Sequence, residues 1–130
     1  MRLARGRLRG GPLCCNLSGM DARVLKRDDL PWSEIAHELI GADYGTRICL
    51  IFVDAPPGCG PRLHKHPYEE IFISLEGTAT FTIGDEQLRA GPGEVVIVPA
   101  ETPHAFTNTG DGQLRQIDIH VSPTFCTEWL

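Results

Sequence analysis

Apolar positions along the chain follow two different periods. Ile35, Ala36, Leu39 and Ile40 fall at helical spacing, with Asp29 as an acidic cap ahead of them, Pro31 near the first turn and Gly41 just beyond. Together they predict a short N-terminal helix. From Thr46 onward the pattern changes to short β-rich runs divided by Gly, Pro and Asp, over residues 47–53, 70–75, 79–83, 95–98, 104–107 and 114–121. A series of short strands at regular spacing predicts an all-β sandwich or barrel. Gly84-Asp85 fits a tight hairpin turn, and Gly91-Pro92-Gly93 forces another turn before the next strand. The last run alternates, with Ile117, Ile119 and Val121 on one face and Gln116, Asp118 and His120 on the other. If the apolar face packs between sheets, the polar three are solvated. If the polar face turns inward, they line the interior.

The 130 residues fit one domain large enough to bury a core without staples. The expected layout is a basic extension over residues 1–19 without fixed structure, an arm over 20–45 carrying the helix, and a barrel with its C-terminal segment over 46–130. Residues 1–19 hold Arg2, Arg5, Arg7 and Arg9 and no acid, so the rest of the chain is more acidic than its net charge of −5 suggests. Such a body repels a phosphate backbone, and nucleic-acid binding is not expected. No apolar run approaches the length of a membrane span. The basic start has no apolar core or cleavage site of an export signal, and a cytoplasmic location is expected. The five cysteines, Cys14, Cys15, Cys49, Cys59 and Cys126, show neither C-x-x-C pairing nor zinc-finger spacing and are read as free thiols.

The segment 58–70 carries the chemistry. On an extended strand His64 and His66 share one face, roughly 6–7 Å apart at their Cα atoms, with Lys65 on the other. Two imidazoles can then converge on one ion. Glu70 has the same parity and follows a Pro67-Tyr68 bend that can bring its carboxylate to the same place. A G-x-S-x-G elbow, a P-loop, a G-x-G-x-x-G turn and an H-E-x-x-H pair are all missing, so serine hydrolases, nucleotide binders and zincins lack their chemical parts.

With these residues in view, the sequence resembles the cupin family. Its first motif, G-x5-H-x-H-x3-E-x6-G, is met by Gly58, His64, His66, Glu70 and Gly77. Its second, G-x5-P-x-G-x2-H-x3-N, is met by Gly93, Pro99, His104 and Asn108, with Glu101 where the family has its second glycine. A side chain at Glu101 strains any turn that needs positive φ, but it removes no ligand. The resemblance implies a double-stranded β-helix, a jelly-roll barrel of two sheets, holding a divalent metal on His64, His66, Glu70 and His104. Three imidazoles and one carboxylate suit Fe(II), Mn(II), Ni(II), Cu(II) or Zn(II), and Fe(II) or Mn(II) is the expected cofactor. In a six-coordinate ion, four protein ligands leave two positions for small molecules.

A metal-dependent oxidoreductase of dioxygenase type, acting on a small organic substrate that chelates through oxygen, is the first functional expectation. A redox-silent isomerase or decarboxylase and a non-catalytic small-molecule binder are the alternatives, because fold does not fix function. Asp118 and His120 are candidate catalytic residues should the polar face of the last strand point inward. Phe72, Phe81 and Phe106 are read as core or pocket wall. Arg62 and Lys65 are read as solvated charges near the barrel mouth, and His37 as a surface residue of the predicted helix. The resemblance also implies a homodimer, paired edge to edge in a way that hides unpaired strand edges.

Overall fold

The computed structural model describes residues 22–130, so the extension over 1–19, with Cys14 and Cys15, lies outside the described residues. Among the described residues eleven strands follow in chain order. They are β1 (Trp32–Ser33), β2 (Ala36–Leu39), β3 (Cys49–Ala55), β4 (His64–Lys65), β5 (Glu70–Glu76), β6 (Ala79–Ile83), β7 (Glu86–Ala90), β8 (Val95–Val98), β9 (His104–Asn108), β10 (Leu114–His120) and β11 (Glu128–Trp129). They form a six-stranded sheet in the order β1-β2-β3-β10-β5-β8 and a five-stranded sheet in the order β11-β4-β9-β6-β7. This is an all-β jelly roll, and the six β-rich runs of the sequence are all strands in it. Gly84-Asp85 is the β6–β7 turn.

The predicted N-terminal helix is not formed. Ala36–Leu39 is instead strand β2, joined to β1 by a tight turn in which Glu34 takes φ +50° and paired along β3 from Ala36 opposite Val53 to Leu39 opposite Leu50. The helical elements here are two short 3-10 turns, Arg27–Asp29 and Gly41–Tyr44. The cause is tertiary. An isolated helix of so few residues is marginal in water. By pairing with β3, the same segment satisfies a strand edge that would otherwise be open and still buries Ala36 and Leu39. His37, expected at the surface of that helix, is half-buried, and its Nδ1–H donates to the Leu30 carbonyl at 2.9 Å.

Between the sheets, Phe72, Phe81 and Phe106 meet with ring centroids 4.9–5.9 Å apart, surrounded by Val53, Val98 and Leu114. Burying each phenylalanine contributes about 1.5–3 kcal/mol. The same packing fixes which face of β10 looks inward. Leu114, Gln116, Asp118 and His120 are buried, while Arg115 is exposed and Ile117 and Ile119 are only half-buried on the outer face. Registers extend this inner face across the sheet: Gln116 lies opposite Val53 and Ser74, Asp118 opposite Ile51 and Phe72, and His120 opposite Cys49 and Glu70.

Asn108 of the second motif and the loop residue Gly60 serve the frame. Asn108 donates from its amide to the Ala55 and Gly112 carbonyls at 2.9 and 2.8 Å and accepts from Gly110 N–H at 3.0 Å, tying three loops together. Gly60 lets the loop before β4 lie directly on β9, because a Cβ there would collide with the Phe106 carbonyl oxygen. That approach helps bring β4 alongside β9.

Candidate metal centre

β4 and β9 pair at a single position, His64 opposite His104, which sets two rings side by side. His66 follows β4 on the same face, and Glu70 opens β5. One ligand atom from each of His64, His66, Glu70 and His104 lies within 4.8 Å of the other three, and all four residues are buried. The set read from the sequence is therefore assembled in space.

The tautomers are determined by what the outer ring nitrogens touch. Nδ1 of His64 lies 2.7 Å from the Arg62 carbonyl, Nδ1 of His66 2.8 Å from the Cys126 carbonyl, and Nδ1 of His104 2.8 Å from the Thr102 carbonyl. A carbonyl only accepts, so each Nδ1 carries the proton and each Nε2 offers a lone pair to the centre. The ionised carboxylate of Glu70 also offers only lone pairs. Nevertheless Glu70 Oε2 lies 2.8 Å from His104 Nε2 and 3.1 Å from His66 Nε2, and the His66 Nε2 has no hydrogen-bond partner. Lone pairs held this close need a cation between them, and this donor set fits a divalent transition metal.

The surroundings act on the ligands in different directions. Burial disfavours the charge on Glu70, but His104, His120 and His66 outweigh it and hold the carboxyl far below the usual carboxylate range. Burial pushes His64 down, toward the neutral ring a metal requires. At His66 burial acts in the same direction, but Glu70 and the Cys126 carbonyl more than offset it. Burial also pushes the Tyr68 phenol up to about 12.

The centre lines a cavity of about 850 Å³. Its walls include Ile51, Phe72, Phe106, Phe125 and Trp129, together with Asp118 and His120. The polar face of β10 thus points inward, but its two candidate catalytic residues have different partners. The Asp118 Oδ1 accepts from Gln116 Nε2 at 2.8 Å. His120 places Nδ1 2.9 Å from the Tyr68 hydroxyl and Nε2 2.9 Å from Glu70 Oε1. Asp118 is 2% exposed, and burial pushes its carboxyl well above the usual carboxylate range, with the Glu70 charge acting the same way and Gln116 opposing. Phe72 and Phe106 serve both core and wall, whereas Phe81 is core. Arg62 lies over the Trp129 ring at 5.1 Å, while Lys65 turns away to Glu101 and Glu128 at 3.2 and 3.5 Å.

The sequence reading missed the contribution of the C-terminal segment. Phe125 packs edge-on against His120, Cys126 fixes His66, and Trp129 packs against His64 at 5.1 Å. Nothing in the local pattern of 121–130 marks these roles. Tyr68 stood inside the first motif but was read only as part of a bend.

A two-sheet jelly roll with a buried three-histidine, one-glutamate group facing an internal cavity defines a class of metal-binding β-barrel. The cupin-domain model matches residues 51–120, and the chain belongs to the cupin family. Among characterised relatives, quercetin 2,3-dioxygenase of Bacillus subtilis is 32% identical over 92 residues, 68% of this chain and 26% of that protein. The dimethylsulfoniopropionate lyase of Ruegeria pomeroyi is 44% identical over 57 residues, 43% of this chain and 28% of the lyase. An uncharacterized protein of Methanocaldococcus jannaschii is 33% identical over 72 residues, 55% of this chain and 58% of its own length. The chain therefore spans between about a quarter and three fifths of these relatives. In fold it is similar to Bacillus subtilis oxalate decarboxylase, which has Mn(II) centres, with a TM-score of 0.71 at 23% identity over 79% of this chain and 30% of that one. No helix among the described residues is long and apolar enough to cross a membrane.

Proposed function

We propose that the protein is a metal-dependent cupin enzyme of dioxygenase type, acting on a small organic substrate that chelates the metal through oxygen. The observation that carries this is the set of three Nε2 lone pairs and one carboxylate converging at the wall of a cavity large enough for a drug-sized molecule. Fe(II) or Mn(II) on His64, His66, Glu70 and His104 would supply Lewis acidity and one-electron exchange with dioxygen.

The cavity wall also favours an aromatic substrate. Among the described residues Arg62 is the one lysine or arginine lining it, against Glu34, Glu38, Glu70 and Asp118. An aromatic molecule would meet Phe72, Phe106, Phe125 and Trp129. This supports a reaction like that named for the quercetin relative. Asp118, whose carboxyl burial pushes well above the usual carboxylate range, faces the same cavity, and its protonated form would donate a hydrogen bond to a substrate oxygen.

A redox-silent lyase or decarboxylase is the second reading, favoured by the lyase relative. The test begins with elemental mass spectrometry on protein purified without a histidine tag, beside a His64→Ala/His104→Ala variant. Near-stoichiometric metal in the wild type, lost in the variant, is expected. Turnover of phenolic or enolic substrates should then consume O2. Full activity under anaerobic conditions with Zn(II) would overturn the dioxygenase reading, and no metal even after reconstitution would leave a pocket that only binds.

A further inference from the structure

Glu70 has two oxygens in two different environments. Oε2 faces the imidazole lone pairs of His66 and His104. Oε1 faces His120, its direct partner across the β5–β10 pair, so the strand register itself sets that contact. The Cys126 N–H donates to the Tyr68 hydroxyl oxygen at 3.2 Å, which leaves the phenol's own proton free to point at His120 Nδ1, 2.9 Å away. With Nδ1 accepting, a neutral His120 carries its proton on Nε2, facing Glu70 Oε1. That tautomer is the opposite of the one His64, His66 and His104 take. The approach of His120 to Oε1 is 2.9 Å but off the ideal hydrogen-bond line, and Nε2 has no better partner.

We propose that Tyr68 and His120 form a positioning relay for the metal-binding carboxylate. Tyr68 sets the His120 tautomer, and His120 holds Glu70 Oε1 so that Oε2 alone is presented to the ion. His120 is then neither a fifth ligand nor a general base, because the nitrogen that faces the centre bears a proton. The relay is anchored from outside the barrel strands. Residue 126 supplies the N–H to Tyr68 and the carbonyl to His66, and Tyr68 stacks flat on His66 with centroids 5.0 Å apart and planes 7° apart. One phenol therefore touches a ligand with its face and steers a second through His120. This goes beyond the proposed function but rests on its reading of the four ligands.

The test compares wild type with Tyr68→Phe, His120→Ala and the double variant, using Mn(II) alone as probe. Partners behind a metal ligand typically change affinity by about 10–100-fold. We expect the His120→Ala variant to bind Mn(II) about 10–100-fold more weakly, and the Tyr68→Phe variant more weakly by a smaller factor. The double variant should be no worse than His120→Ala alone, since Tyr68 acts through His120. The Mn(II) electron paramagnetic resonance spectrum of the single variants should show altered zero-field splitting, which a purely structural role would not produce. Metal-free melting temperatures of Tyr68→Phe and wild type should agree within a few degrees. Unchanged affinity and an unchanged spectrum in both single variants would overturn the relay, and so would strictly additive losses. If the wild type itself fails to bind Mn(II), the four-ligand reading falls first, which separates the two failures.

Discussion

His104 Nε2 and Glu70 Oε2 stand 2.8 Å apart, and a neutral His104 with its proton on Nδ1 toward the Thr102 carbonyl turns a lone pair to the carboxylate. A separation that short between two acceptors is repulsive until a cation sits between them. Glu70→Gln keeps the shape and removes the charge. Its amide would turn either an oxygen with half the donor strength or an NH2 group toward the rings. The expected outcome is loss of metal to background by elemental mass spectrometry, with the β fold retained by circular dichroism. Retention of near-stoichiometric metal would mean that the three histidines suffice.

Asp118 carries two predictions of opposite sign. Burial first, and then the Glu70 charge, raise its carboxyl pKa in the folded protein. The neutral form's contribution to stability is complete below the unfolded aspartate value of about 3.9, and it is lost as pH rises through the raised folded value. At pH 7 the group therefore works against the fold. Asp118→Asn keeps the acceptor for Gln116 and removes the ionisation, so metal-free Asp118→Asn protein should melt higher than wild type at pH 7.5, and the gap should shrink toward pH 4.5. Activity should move the other way. The amide still offers a hydrogen-bond donor but cannot give up its proton, and loss of such proton transfer typically costs about 10²–10⁴-fold in rate. A variant that is no more stable and fully active would remove Asp118 from both roles.

Much of this was legible in the sequence because it is local. His64 and His66 share a face by strand alternation, and the turns at Gly84 and Gly93 break the chain where the β-rich runs end. Long-range pairing was less legible. The segment 36–39 has helical apolar spacing, yet the open edge of β3 recruits it as a strand. The inward turn of Gln116, Asp118 and His120 reverses ordinary expectation for a polar face, and it follows from Leu114 and the phenylalanine core fixing the register of β10. The parts played by Cys126 and Trp129 depend on β11 lying beside β4, far apart in the chain. A backbone carbonyl as ligand support leaves no trace in residue type.

Glu101 occupies φ +62°, the conformation its usual motif glycine would take without strain. Its backbone N–H donates to the His66 carbonyl at 2.7 Å, so the turn must stay in place for the centre to form. A residue with a Cβ in this region costs roughly 1 kcal/mol. Its carboxylate gives one partner to Lys65, which keeps Glu128 if Glu101 is lost. Glu101→Gly is expected to raise the melting temperature by about 2–4 °C while leaving Mn(II) affinity unchanged. A lower melting temperature would show that the Lys65 contact outweighs the strain.

The outer face of the larger sheet is unusually apolar for a surface. Registers place Leu50, Ile119, Ile71 and Ile97 in one row and Phe52, Ile117, Ile73 and Val95 in the next, across β3, β10, β5 and β8. Ile97 is 63% and Val95 56% exposed at the β8 edge. Contiguous apolar patches on a sheet face mark association sites or aggregation hazards, and β8 also presents an unpaired strand edge. We propose that a second copy of the chain covers this face, in keeping with the expected homodimer. The metal centre lies on the opposite face of the same sheet, so association leaves the cavity open. Ile97→Lys should shift the protein toward monomer in multi-angle light scattering without changing metal content. A wild-type monomer at working concentration would overturn the dimer outright. A variant that remains fully dimeric would place the interface elsewhere, most simply on the smaller sheet.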